Sequence, residues 1–250
     1  METASRSAPV LPPLYEQPEI AALTGGALRP GGTTLTAELL ARSGLRSGDR
    51  VLDVGCGPGH SLALLTTKYN IRAVGLDPSA SLLHQAARQA PAARLVRGVA
   101  TALPCAGRQF DGLLCECVLS LSGDIAATLR EFCRVLRPGG VLLLSDIYRT
   151  RPGPAPGPTA LRSCLSGAVT LPELRAELER AGFTLVHLAD HSPLLRQLAG
   201  QIIFSHGSLE AFWRLFLDEE SARSTCCSLA AAPLGYVALI ARSPSEDHHG

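Results

Sequence analysis

The residues with the clearest chemical potential form a glycine-rich stretch, VLDVGCGPG, at positions 51–59. An apolar run leads into Gly55, Gly57 and Gly59, with Asp53 just before them. Glycine permits positive φ and lets a ligand lie directly against the main chain. The amides that open the following helix attract a carboxylate or phosphate, whereas a carboxylate at Asp53 suits a ligand amino group. This stretch therefore predicts a binding turn for a small ligand.

The spacing of this turn discriminates between ligand classes. A dinucleotide fingerprint requires glycine at the sixth position counted from Gly55, and His60 stands there. A phosphate-binding P-loop requires Gly-Lys-Ser/Thr, which does not follow. A second acid, Asp77, ends the next apolar run in AVGLDPS. An acid at that point of a doubly wound sheet accepts hydrogen bonds from ribose hydroxyls, although Asp-Pro also begins many turns.

These residues need strands and helices to position them, and the sequence alternates between the two. Unbroken apolar runs indicate strands that are covered on both faces of a parallel sheet. Such runs occupy residues 50–54, 71–76, 94–98, 110–115 and 141–146, and helical patterns occupy 36–43, 62–69, 79–89 and 124–136. After a Pro-rich loop at 151–158, helices are expected at 171–181 and 191–220, and strands at 183–188 and 235–241.

The Asp-x-Gly-x-Gly-x-Gly pattern of residues 53–59 resembles the binding loop of class I S-adenosylmethionine-dependent methyltransferases. Two later segments, ATALPCAGRQFDGLLCECVLSL and EFCRVLRPGGVLLLSD, extend the resemblance to about Asp146. It implies a Rossmann-like, doubly wound, mostly parallel seven-stranded α/β sheet with helices on both faces and an antiparallel seventh strand. It also implies S-adenosyl-L-methionine as cofactor, bound by Asp53, Gly55, Cys56, Gly57, Gly59, Asp77, Pro78, Ala100, Thr101 and Glu116.

One position departs from the family pattern. The family usually has an acid after the third strand that bonds the adenine amino group, whereas this sequence has Val99. Adenine would then depend on backbone groups near Ala100 and Thr101 and on apolar packing.

The acceptor is harder to predict, because methyl transfer needs a base only when the acceptor is protonated. Glu116 and Asp146 follow the fourth and fifth strands, at the edge where open α/β sheets bind ligands. Both are therefore candidates for a catalytic base or for the wall of the acceptor pocket.

The cysteines suggest one kind of acceptor. Cys164, Gly167 and Ala168, followed by a helix that ends in Ala-Gly-Phe, resemble a segment of arsenite methyltransferases. The resemblance implies that Cys164, Cys226 and Cys227 hold a thiophilic acceptor such as arsenite, with a mobile stretch before the last strand letting them converge. Reduced cysteine also packs as a small hydrophobic residue, which is the competing interpretation. The spacing of paired zinc ligands is missing, so no metal site is expected.

Composition sets the outer limits. The 250 residues are 46% hydrophobic with a net charge of +1, so neither a nucleic acid nor an anionic membrane is expected as partner. No apolar run approaches the ~20 residues of a membrane span, and no secretory signal is evident, which predicts a cytoplasmic protein. We expect an N-terminal extension or flap over residues 1–34, one methyltransferase domain over 35–242 with a helical insertion at about 191–232, and a polar tail over 243–250.

The leading hypothesis is thus an enzyme that methylates a small molecule. A carbon, oxygen or nitrogen acceptor remains an alternative to a metalloid. A second class is a non-catalytic partner or sensor that binds the cofactor. A third is a protein or RNA methyltransferase, against which the balanced charge and the missing basic stripe argue in the case of RNA.

Overall fold

The structure is a computed structural model that describes residues 13–23, 26–27, 29–153, 156 and 163–245. Three predicted segments lie partly outside the described residues. They are the N-terminal extension at residues 1–12, the Pro-rich loop at residues 154, 155, 157 and 158, and the tail at residues 246–250.

Seven strands form one sheet in the order β3-β2-β1-β4-β5-β7-β6. The first five strands pair in parallel, and β7 runs antiparallel to both β5 and β6. The predicted fold class is therefore confirmed, and β1 lies inside the sheet between β2 and β4. The strands are β1 (Arg50–Val54), β2 (Arg72–Asp77), β3 (Arg94–Arg97), β4 (Phe110–Glu116), β5 (Leu136–Arg149), β6 (Thr184–Asp190) and β7 (Leu234–Arg242).

A 3-10 turn at Pro13–Glu16 precedes the helices, several of which begin at a polar cap. Ser79, Asp124 and Asp218 each accept a hydrogen bond from the first turn of their helix, which satisfies one otherwise free amide. The helices are α1 (Pro18–Leu23), α2 (Gly32–Ser43), α3 (His60–Thr67), α4 (Ala80–Gln89), α5 (Ile125–Val135), α6 (Leu171–Arg180), α7 (Ser192–His206), α8 (Leu209–Trp213) and α9 (Glu219–Ala231).

The region between β6 and β7 differs from the sequence-based expectation in one respect. The stretch before the last strand, which we expected to be mobile, is the 13-residue helix α9. Its start is fixed by the Asp218 cap, and Ala222 and Thr225 are buried. Among the described residues, no helix is long and apolar enough to cross a membrane.

Two apolar clusters form the core, one on each face of the sheet, because consecutive strand residues point to opposite faces. Leu52 and Leu113 belong to one cluster, and Val51 and Leu114 belong to the other. A third, smaller cluster, the cap cluster, joins the 3-10 turn to α8 and α9 around Leu14, Phe212, Trp213 and Ala222. The N-terminal turn is therefore held against the helices between β6 and β7.

Candidate functional site

A cavity lies where β1, β2 and β4 end, at the carboxyl edge of the parallel strands. Nine of the ten residues predicted to bind the cofactor line it: Asp53, Gly55, Cys56, Gly57, Asp77, Pro78, Ala100, Thr101 and Glu116. They come from four separate chain segments, which the parallel pairing of the strands brings to one edge. The sequence-predicted binding residues are therefore neighbours in space.

The glycine-rich turn takes a backbone path that side chains would obstruct. Gly55 has φ 72°, and a Cβ atom there would lie 2.2 Å from Val118 Cγ2. The amides of Gly55 and Cys56 both donate to the carbonyl of Leu76, which ties the turn to the end of β2. The turn therefore presents main chain directly to the cavity.

Gly59 has a different task from the one predicted. It does not line the cavity; it opens α3 with φ 90°, and a Cβ atom there would lie 2.9 Å from Ala86 Cα in α4. The third glycine of the motif thus lets two helices approach each other, and its assignment to cofactor contact is not supported by its position.

Asp77 is buried, and main-chain amides hold its carboxylate. Oδ2 accepts from Gly57 N and Oδ1 accepts from Ser79 N, each at 2.9 Å. Burial raises the pKa of Asp77, and the two amide hydrogen bonds oppose that shift. Each oxygen has a second lone pair. The carboxylate can therefore accept two further hydrogen bonds from a ligand, as a ribose diol would supply.

Asp53 is only 3% exposed, and its Oδ2 has no hydrogen-bond partner among the described residues. Burial raises its pKa well above the ordinary value; Glu116 raises it further and Arg29 opposes the shift. A buried carboxylate oxygen without a partner is costly. The missing partner is a donor, and a ligand in the cavity can provide it.

Arg29 is a site residue that the sequence analysis missed. It is 8% exposed, it lines the cavity, and its Nη2 lies 2.8 Å from Glu116 Oε2. The same nitrogen donates to Thr36 Oγ1 and Ser61 Oγ, and both of these hydroxyls donate in turn to Glu116. Its Nε atom, however, has no partner in the part of the chain that the structure describes. The network fixes the guanidinium and leaves one donor available.

Glu116 lines the cavity, but its contacts do not favour the predicted role as a base. Oε1 accepts from Thr36, and Oε2 accepts from Ser61 and pairs with Arg29. Taking up a proton would weaken this ion pair, which is buried on both sides. Glu116 therefore anchors Arg29.

Asp146, the other predicted base, does not line the cavity. Its carboxylate accepts from Ser120 N, Ser120 Oγ and Ile147 N, at 2.6 to 2.9 Å. Burial raises its pKa to about 6 against the effect of these hydrogen bonds. It fixes the loop that follows β4, whose Val118, Leu121 and Ser122 do line the cavity.

The structure does not bring the three predicted acceptor thiols together. Cys226 and Cys227 lie on α9, where Cys226 packs in the cap cluster and Cys227 is exposed. Adjacent helix positions point in different directions, so the two sulfurs do not share a face. Cys164 packs against the core cluster that contains Cys117. Within the described ranges, no group of three or more Cys, His, Asp or Glu side chains could hold a metal ion.

Comparison with known proteins agrees with this geometry. Residues 51–140 match the model of a family described as a methyltransferase domain. An arsenite methyltransferase of Halobacterium salinarum is 29% identical over 60% of this chain and 41% of its own length. A trans-aconitate 2-methyltransferase of an Azoarcus species is 36% identical over 58% of each chain.

Among solved structures, Haemonchus contortus phosphoethanolamine N-methyltransferase 2, in complex with S-adenosyl-L-methionine, shares the fold. Its TM-score is 0.70 at 16% identity, over 90% of this chain and 56% of that one. The chain thus spans about half the length of the curated relatives it matches. Residues 51–140 therefore match a methyltransferase domain, and the seven-stranded sheet has the fold of this solved methyltransferase.

Proposed function

We propose that this protein transfers a methyl group from S-adenosyl-L-methionine to a small-molecule acceptor. The observation that supports this most directly is that two residues lining one cavity, Asp53 and Arg29, each have a buried atom, Oδ2 and Nε, with no partner among the described residues. One atom accepts and the other donates, and the residues carry opposite charges. A ligand that satisfies both has a cationic donor and an anionic acceptor, as the amino-acid end of this cofactor does.

The rest of the cavity suits the remaining parts of the cofactor. Asp77 would accept hydrogen bonds from the ribose hydroxyls with the lone pairs that Gly57 and Ser79 leave free. Pro78, Leu82 and Leu121 offer apolar surface for adenine. Val99, Ala100 and Thr101 also line the cavity. Because position 99 is not an acid, backbone groups would form the hydrogen bonds to the adenine ring.

When bound, the cofactor supplies an activated methyl group on a sulfonium. This chain's residues then have three tasks: to bind the cofactor, to orient it and to keep water out. Asp53 and Arg29 fix the amino-acid end, and Asp77 fixes the ribose. Tyr15 of the 3-10 turn lines the same cavity and covers it from the N-terminal side.

We expect a small-molecule acceptor because the cavity at the sheet edge is partly enclosed, which limits the size of what can enter it. Arsenite is one acceptor to assay, since a relative is an arsenite methyltransferase. It would have to bind without the predicted three-thiol set, because the described residues hold no group of three such ligands and Cys227 is exposed on α9. Replacing either with Ser should leave turnover unchanged.

Cofactor binding tests the proposal directly. Isothermal calorimetry with S-adenosyl-L-methionine and S-adenosylhomocysteine should show binding to the wild-type chain. Asp53→Asn, Arg29→Gln and Asp77→Ala should each weaken it by about 1–3 kcal/mol, the scale for an unmade hydrogen bond to a charged group. Asp111→Asn, at an acid outside the cavity, is the control and should bind normally. Unchanged affinity in all three cavity variants would remove the site assignment.

Turnover tests the catalytic part. The wild-type chain is incubated with methyl-labelled cofactor and a panel of small acceptors, and labelled product is identified by mass spectrometry. Binding without transfer to any acceptor would favour the alternative, a cofactor-binding partner or sensor.

A further inference from the structure

Two hydroxyl groups lie between Arg29 and Glu116 in the buried network beside the cavity. Thr36 comes from α2 and is fully buried, and Ser61 comes from the first turn of α3 and is 3% exposed. Ser61 lines the cavity, whereas Thr36 does not. Neither residue has a task in the proposed cofactor contacts, yet both touch the arginine that has one.

Nη2 of Arg29 faces more oxygens than it has hydrogens. It lies 2.6 Å from Thr36 Oγ1 and 2.8 Å from both Ser61 Oγ and Glu116 Oε2, but it has only two N–H donors. Each hydroxyl donates its single hydrogen to Glu116, so each can approach Nη2 this closely only as an acceptor. The carbonyl of Gly32, at 3.4 Å, is a more distant alternative acceptor. Both hydrogens of Nη2 therefore go to the hydroxyls.

The same hydroxyls supply the carboxylate of Glu116 with donors. Oε1 accepts from Thr36 and Oε2 accepts from Ser61, each at 2.8 Å. The attraction between the two charges acts across the 2.8 Å contact of Oε2 with Nη2. A buried oxygen that lost its hydroxyl donor would draw on a further N–H of the guanidinium, because a buried acceptor without a donor is costly.

The other donors of Arg29 are on Nη1 and Nε. Nη1 donates to the carbonyl of Ala27 at 2.9 Å. Nε is buried and has no partner among the described residues. The two hydroxyls therefore determine which donor of the guanidinium remains for a ligand, since they hold Nη2 beside Glu116 and keep Nε out of that ion pair.

We propose that Thr36 and Ser61 are positioning residues that keep Arg29 Nε available for the carboxylate of the cofactor. This rests on the proposed function, in which Arg29 binds the anionic part of the amino-acid end. The hydroxyls act through Arg29: they satisfy Glu116, so that this acid does not compete with the ligand for the remaining donor. Recognition of one ligand group thus depends on two side chains that are bonded to the arginine.

Loss of either hydroxyl should affect one part of the ligand more than the others. Without the Thr36 hydroxyl, Glu116 Oε1 loses that donor, and a shift of the guanidinium toward this oxygen takes Nε away from the ligand carboxylate. Without the Ser61 hydroxyl, the same happens at Oε2. The ligand amino group, assigned to Asp53, and the ribose, assigned to Asp77, keep their partners. The contribution of the carboxylate to affinity therefore falls, and that of the rest of the ligand remains.

Two ligands that differ only in this carboxylate test the proposal. Isothermal calorimetry on the full chain compares S-adenosylhomocysteine with its decarboxylated analogue, S-adenosyl-3-thiopropylamine, which keeps the amino group, the thioether, the ribose and the adenine. The ratio of the two dissociation constants, analogue over S-adenosylhomocysteine, measures recognition of the carboxylate. For the wild-type chain we expect a ratio of about 10 to 100, the scale of a hydrogen bond to a charged group.

Variants connect this ratio to the hydroxyls. Thr36→Val and Ser61→Ala should each lower it by about threefold or more, the scale on which members of one hydrogen-bond network couple. Thr36→Ser keeps a hydroxyl at the same place and should keep the wild-type ratio. Thr128→Val and Ser43→Ala are the matched controls, at buried hydroxyls that donate to main-chain carbonyls outside the cavity, and should leave the ratio unchanged.

The ratio distinguishes a positioning role from a structural one. If Thr36→Val and Ser61→Ala weaken both ligands by the same factor, the ratio is unchanged and the hydroxyls only stabilise the site, which overturns the proposal. Equal affinity of the wild-type chain for both ligands also overturns it, because Arg29 then does not bind the carboxylate. If the wild-type chain binds neither ligand, the proposed function itself fails.

Discussion

At the scale of single residues, two buried polar atoms without partners indicate which ligand groups the site can bind. Asp53 Oδ2 and Arg29 Nε lie in a chain whose other buried side-chain polar atoms, among the described residues, have partners. Each buried atom whose hydrogen bond is missing destabilises the folded state by about 1–3 kcal/mol. The arrangement persists because the surrounding fold is stable enough to hold it, and a ligand that satisfies both atoms gains that energy on binding.

Asp53 gives a prediction about protons. Its pKa is raised in the free protein by burial, and a cationic ligand group beside it would lower that pKa again. Ligand binding should therefore release up to about one proton, and affinity for S-adenosylhomocysteine should rise with pH over the range in which Asp53 is protonated in the free protein. Calorimetry in two buffers of different ionisation enthalpy measures the release. Asp53→Asn should abolish it, and a wild-type chain that releases no proton at any pH in this range would contradict the assignment.

Asp146 gives a prediction about stability. Its pKa is about 6 in the folded chain, against an ordinary value of 3.8, so the folded state binds more protons than the unfolded state between these limits. Its contribution to the free energy of unfolding therefore falls as the pH rises from about 4 to about 6, by roughly 3 kcal/mol. Urea unfolding of wild type and Asp146→Asn should show this as a pH-dependent difference. A difference that stays constant from pH 4 to 7 would be inconsistent with the raised pKa.

At the scale of elements, the glycine-rich motif divides its work between a ligand and helix packing. Gly55 and Gly57 line the cavity, whereas Gly59 lets α3 approach α4. Two glycines of the pattern thus line the cavity, and the third allows close packing of two helices. A substitution at Gly55 or Gly57 should therefore impair ligand binding, whereas a substitution at Gly59 should impair helix packing.

Gly59→Ala tests this division. The substitution forces alanine into a positive φ and places its Cβ against Ala86, so it should destabilise folding by about 1–2 kcal/mol for the backbone and about 1–3 kcal/mol more for overpacking. Gly48→Ala is the matched control, because Gly48 has φ 86° and nothing within 4 Å of the added Cβ. Urea unfolding should show a clearly larger loss at position 59. Equal losses at both positions would mean that the contact with α4 has no role.

At the scale of the whole molecule, the cap cluster joins two ends of the chain that the sheet itself does not join. Leu14 and Tyr15 come from the 3-10 turn, and Phe212, Trp213 and Ala222 come from the helices between β6 and β7. The cluster has four buried members, far fewer than either face of the sheet. Small clusters of this kind open at lower cost than the core.

Leu14→Ala should therefore loosen the cap before the sheet. Deleting this buried side chain should cost about 2–5 kcal/mol within the cluster. Trp213, the chain's single tryptophan, reports on the cap through its fluorescence, while far-ultraviolet circular dichroism reports on the sheet and helices together. In the variant, the fluorescence transition should occur at lower urea than the dichroism transition. Leu129→Ala, in the core cluster, is the control and should lower both transitions together; coincident transitions in Leu14→Ala would show that cap and sheet unfold as one unit.

The sequence by itself determined the sheet and predicted nine of the residues that line the cavity, because those signals are local. Unbroken apolar runs specify strands covered on both faces, and the turn at Gly55 and Gly57 with the acids Asp53 and Asp77 follows two of those strands at fixed spacing. Only the tertiary structure showed Arg29, Tyr15 and Cys117 at the cavity. Arg29 pairs with Glu116, 87 positions later, and Tyr15 bonds Cys164, 149 positions later. No local periodicity marks such contacts, since they depend on how loops from distant segments pack at one edge of the sheet. The same reason applies to Cys226 and Cys227: their residue type suggested a thiol site, whereas the structure places both on α9, with Cys226 packed against the cap cluster and Cys227 exposed.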